Sequence, residues 1–137
     1  MTIQLTPIGV VRTDAEEIPR HWSVSDVEGT LVIDDAYAEG LRDVAPGQRI
    51  VVLFHFDRSP EFTPEHLRQV SGGTGREMGV FSTCSPVRPN PIGMSVLEVV
   101  AIDGTRLHVR GLDMLDGTPI IDLKPHIETD RDHETGR

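Results

Sequence analysis

The sequence predicts an all-β protein, mainly β with short helices, built as one small single-sheet barrel. Three observations carry this. Short apolar runs recur at regular spacing between turn residues. Asp103-Gly104 lies between two such runs, Met94–Ile102 and Thr105–Leu112, and is the strongest short hairpin signal in the chain. No long amphipathic helical pattern and no internal repeat occurs.

Taken in order, Ile3–Val11 reads as a first strand and residues 12–28 as polar and irregular. Gly29–Ile33 is a short strand, and Ala36–Leu41 a helical turn ended by Ala45-Pro46-Gly47. Gln48–Phe56 is the strongest strand, because Ile50 to Phe54 is a continuous apolar run. Pro64–Val70 is predicted as a short helix with Thr63 as N-cap and proline at its first position. Ser71–Gly75 is a loop. From Met78 onward the pattern is β, ending in a strand over Thr118–Leu123. Residues 1–127 form the predicted barrel domain, and residues 128–137, with little to bury, a solvated tail.

With 137 residues, a core can form without a staple. The single cysteine, Cys84, excludes an intrachain disulfide and suits a reducing compartment. No segment is long enough to cross a membrane as a helix, and the start lacks the charge of a secretion signal. A cytoplasmic location follows as the expectation. The net charge of −9 opposes broad capture of nucleic acid, although a local basic patch would escape that argument. All cationic side chains but Lys124 are arginine, which suits bidentate recognition of carboxylate or phosphate; a bias in base composition would give the same ratio.

The chemistry concentrates in two stretches. Residues 79–95, GVFSTCSPVRPNPIGMS, place Pro86, Pro89 and Pro91 within six residues. Proline fixes φ and donates no ladder hydrogen bond, so a sheet gains no stability from such a run. It reads as a rigid loop holding Ser85, Arg88, Asn90 and Ser95 in set directions. Residues 113–125, DMLDGTPIIDLKP, have the same character. Together they suggest a site for a polar small molecule.

Arg88, restricted by its flanking prolines, is a candidate clamp for a carboxylate; pairing with Asp113 or Asp122 is the structural alternative. Asp116-Gly117-Thr118-Pro119 is a tight turn whose amides are candidate ligand contacts. Asp113 and Asp122 each lie beside apolar residues and need partners, with Asp122 read as structural and Asp113 left open. His55 and Asp57, two apart on a strand, share a face and form a pair able to orient a substrate or take a proton; a plain exposed face is the alternative for His55. Trp22 is either a stacking platform for a purine or a packing residue. Cys84 has no assignable activating base. Ser71–Gly75 lacks dinucleotide-loop spacing, and neither histidine spacing nor cysteine count suggests a metal site.

The two long motifs resemble the TrmO/TsaA-like (YaeB-type) family. The likeness extends to Ile8–Arg12, Pro19-Arg20, Tyr37–Leu41 and Phe56–Ser59, and so covers the chain to about Ile127. It implies a homodimeric β-barrel methyltransferase that uses S-adenosyl-L-methionine, in the short form without an added C-terminal domain. The acceptor it implies is N6 of threonylcarbamoyladenosine-37 in tRNA. By motif, the cofactor site involves Arg20, His21, Asp57, Arg58, Arg88 and Asp116–Pro119, with Asn90 and Ser95 from the proline loop. Asp57 and His55 are the candidate catalytic pair. Three positions depart from the family pattern: His21 stands for glutamine, Asp57 for histidine and Cys84 for arginine. These departures and the negative charge leave a small-molecule acceptor as the alternative, and a non-catalytic cofactor-binding module as a third reading.

Overall fold

The computed structural model of the protein describes residues 1–127. Its strands are β1 (Gly9–Arg12), β2 (Glu28–Ile33), β3 (Arg49–His55), β4 (Arg68–Val70), β5 (Glu77–Gly79), β6 (Ile92–Asp103), β7 (Arg106–Arg110) and β8 (Pro119–Pro125). Six of them pair antiparallel in a closed ring, β1-β2-β7-β6-β3-β8, with β8 returning to β1 through Gly9↔Ile120 and Val10↔Pro119. The short β4–β5 hairpin stands apart.

Alternation of side chains puts one face of each strand inside the ring. Ile50, Val52 and Phe54 of β3, Leu31 and Ile33 of β2, and Leu107 and Val109 of β7 meet there with Leu97 and Val99 of β6. Each buried aliphatic side chain contributes about 1.5–3 kcal/mol of transfer free energy, so this single core holds the ring closed. Closure also leaves these six strands no unpaired edge.

The hairpin between β6 and β7 falls one residue later than the Asp-Gly pair suggests. Asp103 pairs with Arg106, so Gly104 and Thr105 make the turn, with Gly104 at φ 61°. Glycine first in a two-residue loop is the II′ pattern, whose twist matches the strands.

Other expectations need correction. The first strand begins at Gly9, not Ile3; Ile3 and Leu5 are 76% and 55% exposed and have no core to face. Pro64–Val70 is not one helix. A 3-10 turn covers Pro64–Leu67, and Arg68 then turns extended to pair with Gly79. The Thr63 cap is present, in reciprocal bonding with His66. Ser71–Gly75 is the tip of the β4–β5 hairpin. β7 stops at Arg110 because Gly111, at φ 105°, redirects the chain and sends Leu112 into the core. The tail predicted for 128–137 lies outside the described residues.

One irregularity matters for the site. The β3–β8 register shifts between Leu53↔Asp122 and Phe54↔Ile120, so β8 carries an extra residue there. Such bulges re-aim a strand end. This one lies at the end of β3 where the two motifs converge.

Candidate functional site

The proline loop is held by its own side chains. Thr83 Oγ1 donates to the Val80 carbonyl at 2.9 Å, and accepts from the Ser85 N–H; Ser85 Oγ in turn accepts from the Val87 N–H. Arg88 Nη1 donates to the carbonyls of Thr83 and Ser85 at 3.1 and 3.0 Å. Gln69 on β4 adds a bond to the Val87 carbonyl at 2.7 Å. Arg88 is therefore first a brace for the loop, using one of its nitrogens to close it.

This loop forms one wall of a cavity of about 660 Å³ at the His55 end of β3. Four segments meet around it. Residues 18–22 bring Arg20, His21 and Trp22. The end of β3 brings Phe54, His55, Phe56, Asp57 and Arg58. The proline loop brings Cys84 and Arg88. The segment before β8 brings Asp113, Met114, Leu115 and Thr118. The floor is apolar: Phe54 and Phe56 pack edge to face at 5.0 Å, against Gly93 of β6. A Cβ at Gly93 would overlap the Phe54 ring and come within 2.8 Å of Phe56, so glycine is required there.

His55 and Asp57 both line the cavity, but not through strand alternation. β3 ends at His55, and the Asp57 N–H turns back to the His55 carbonyl at 2.9 Å. Asp57 forms an ion pair with Arg58 at 3.6 Å. Arg58 Nη2 also donates to the Asp116 carbonyl at 2.5 Å, tying the end of β3 to the second motif. Arg20 forms no hydrogen bond or ion pair among the described residues, and its guanidinium reaches toward Gly73 of the β4–β5 hairpin.

Several residues of the motifs shape the wall from behind and do not line it. Asp116 points to β1, accepting from the Thr13 N–H at 3.0 Å and lying 3.9 Å from Arg12. Gly117, at φ 86°, donates to the Val11 carbonyl. Pro119 starts β8, and the Asn90 carbonyl accepts from the Ile92 N–H. Ser95 is fully buried, and its hydroxyl donates to Asp113 in a short hydrogen bond. Asp122 pairs with Lys124 at 3.1 Å, away from this cavity.

Asp113 is the residue that sequence reasoning left open and the geometry brings forward. Its carboxyl is pushed above its ordinary range by burial. Opposing that are the Ser95 hydroxyl, the Trp22 N–H and the charge of His21. The signal in the sequence was its setting between two residues that become buried, Leu112 and Met114. Its partner, eighteen residues back on β6, could not be read locally.

Three guanidiniums and two carboxylates thus face an apolar floor. That set can grip both ends of a zwitterion and cover an aromatic base. The family model for the tRNA-methyltransferase O N-terminal domain matches residues 10–131. The chain belongs to this family. An S-adenosyl-L-methionine-binding protein of Archaeoglobus fulgidus is 42% identical over 125 residues, covering 89% of this chain and 88% of its own. The tRNA (adenine(37)-N6)-methyltransferase of Escherichia coli strain K12 is 35% identical over 138 residues, covering 92% of this chain and 58% of its own. The crystal structure of TrmO from Pseudomonas aeruginosa superposes with a TM-score of 0.74 at 30% identity, over 99% of this chain and 62% of that one. The chain therefore spans about three-fifths of the two bacterial proteins and most of the archaeal one.

Proposed function

We propose that this S-adenosyl-L-methionine-dependent methyltransferase acts on N6 of adenosine-37 in tRNA, with threonylcarbamoyladenosine as the acceptor. The observation that carries the reading is the convergence of both long motifs on one cavity of about 660 Å³. That volume is ordinary for a small-molecule site. The residues present fit the methyl donor. Arg20 and the remaining nitrogens of Arg88 suit its carboxylate, Asp113 its cationic end, and Phe54, Phe56, Trp22 and Leu115 its adenosine.

When bound, the donor supplies an electrophilic methyl carbon on sulfonium. The protein's task is then positioning, which supplies on the order of 7–11 kcal/mol in favourable cases. The braced proline loop and the Gly93-fitted aromatic floor fix the walls. The apolar floor excludes water, so that charges at the rim act more strongly. His55 and Asp57 stand at the β3 end as acceptors for the proton that N6 sheds. Arg58 is the cation left for the threonyl carboxylate, standing in for the arginine that the family pattern has where this chain has Cys84.

A homodimer in the cytoplasm completes the proposal. Met94, Leu115 and Ile92 are 53%, 49% and 40% exposed at the cavity mouth, and Phe81 is 78% exposed nearby in sequence. A second copy would cover such surface. No helix among the described residues is long and apolar enough to cross a membrane.

One observation favours a second reading. Cys84 and Asp57, both departures from the family pattern, line the cavity, and each makes it less attractive to an anionic acceptor. A small, less anionic acceptor fits that change. Incubation with labelled S-adenosyl-L-methionine and tRNA bearing threonylcarbamoyladenosine separates the two. Label at N6 of that nucleoside supports the tRNA reading. Normal donor binding with unlabelled tRNA sinks it in favour of the small acceptor.

A further inference from the structure

Among the described residues, two carboxylates line the site cavity, and they differ in what surrounds them. Asp57 is ion-paired with Arg58 at 3.6 Å. Asp113 has no arginine or lysine within ion-pairing distance among the described residues. Besides the charge of His21, its contacts are hydrogen bonds: one oxygen accepts from the buried Ser95 hydroxyl, and the backbone N–H groups of Trp22 and of Asp113 itself point at the same group. A carboxylate offers about four acceptor positions, so this one retains capacity toward the cavity.

Burial of a carboxylate with only the charge of His21 nearby to oppose it is costly, and a further opposite charge entering the site relieves it. The anchoring fixes where that charge must stand. Ser95 belongs to β6 inside the ring and has no freedom to move away. Arg20 and Arg88, which line the same cavity, offer the opposite sign. A buried carboxylate and guanidiniums in one cavity are the complement of an α-amino acid end, which carries both an ammonium and a carboxylate.

We propose that Asp113, held by Ser95, binds the α-ammonium of the methyl donor and so selects ligands that carry an amino acid end. This rests on the methyl-donor reading of the cavity. The ammonium is the better match than the sulfonium, because it has N–H donors for the free acceptor positions and the sulfonium has none.

The test is calorimetric titration of the wild type and Asp113→Asn with three ligands. S-adenosyl-L-methionine carries ammonium and sulfonium; S-adenosylhomocysteine carries the ammonium alone of these two. Methylthioadenosine has neither. Asp113→Asn should weaken the first two at least tenfold and the third by less than twofold. Ser95→Ala, which loosens the carboxylate without removing it, should weaken the first two about threefold to fivefold and spare the third. It also serves if Asp113→Asn fails to fold. A parallel loss for methylthioadenosine would reduce Asp113 to a shaping role and overturn the assignment. Loss confined to S-adenosyl-L-methionine would move the contact to the sulfonium and overturn it too, as would unchanged binding of all three. If the wild type binds none of them, the methyl-donor reading falls and takes this inference with it.

Discussion

Two large cavities flank β3, and the larger is the less informative. At the Arg49 end, about 740 Å³ is enclosed by Ile8, Tyr37, Leu41, Val44, Ile50 and Leu123, among others, and Lys124 there is neutralised by Asp122 at 3.1 Å. At the His55 end, about 660 Å³ is enclosed by the proline loop and the segment before β8. Arg20, Arg58 and Arg88 gather there in a chain of net charge −9. Size does not separate the two. What does is that the proline loop lines only the His55 end, which needs that rigid loop, a fitted glycine and a buried carboxylate to exist.

Paired substitutions at the two ends break or sharpen this contrast. The largest difference is expected at glycine. Gly93→Val drives a side chain into Phe54 and should cost about 3 kcal/mol in urea unfolding. Gly40→Ala, at the other cavity, meets nothing within 4 Å and should change stability by less than about 1 kcal/mol, in the stabilising direction. Similar costs at both would remove the claim that the His55 end is the more tightly specified.

Arginine and lysine come next. Arg88→Ala removes both bonds that close the proline loop, and should cost about 1–2 kcal/mol and at least tenfold in S-adenosyl-L-methionine affinity. Lys124→Ala loses an exposed pair and should cost less than about 1 kcal/mol, with binding unchanged. Equal effects on binding would place the ligand elsewhere.

A smaller effect is one of pH. Burial raises the Asp113 carboxyl above its ordinary value of 3.8, so the folded state takes up this proton more readily than the unfolded chain. The resulting stabilisation is complete below that value and is lost as pH rises through the raised one. Asp113→Asn removes the titration. The variant should therefore gain on the wild type as pH rises from about 3.8 toward neutrality. A stability difference flat across that range would contradict the burial argument.

The smallest expected effect concerns the acceptor. Cys84→Arg combined with Asp57→His should leave stability within about 1 kcal/mol, because both side chains face the cavity. It should raise methyl transfer to tRNA severalfold, through restored contact with an anionic acceptor. Lower transfer would show that the departures suit tRNA.

The contrast also marks what was legible in the sequence. β3 and the β6–β7 hairpin were, because apolar runs and turn residues are local signals. The fault at Pro64–Val70 arose because four residues of 3-10 turn and three of strand imitate one short helix. Ile3–Leu5 misled because an apolar residue becomes a strand only if something pairs with it. In the site, the motifs were visible but their division of labour was not. Arg88 turns into its own loop, and Asp116 turns to β1, because the carbonyls and amides they satisfy come from the folded backbone. Asp113 gains its place from Ser95, and Arg20 forms no ion pair among the described residues although it lines the same cavity as Asp57 and Asp113. Such facts belong to the packing of distant segments.

The central claim is that the cavity at the His55 end of β3 is where the methyl donor binds. Calorimetric titration of S-adenosyl-L-methionine into Arg20→Ala and Tyr37→Ala tests it most directly, since each variant changes one cavity and neither residue belongs to the core. Arg20→Ala should weaken binding at least tenfold, about 1.4 kcal/mol, with Tyr37→Ala within twofold of the wild type. Loss of affinity in Tyr37→Ala with Arg20→Ala unaffected would put the donor at the Arg49 end and contradict the account.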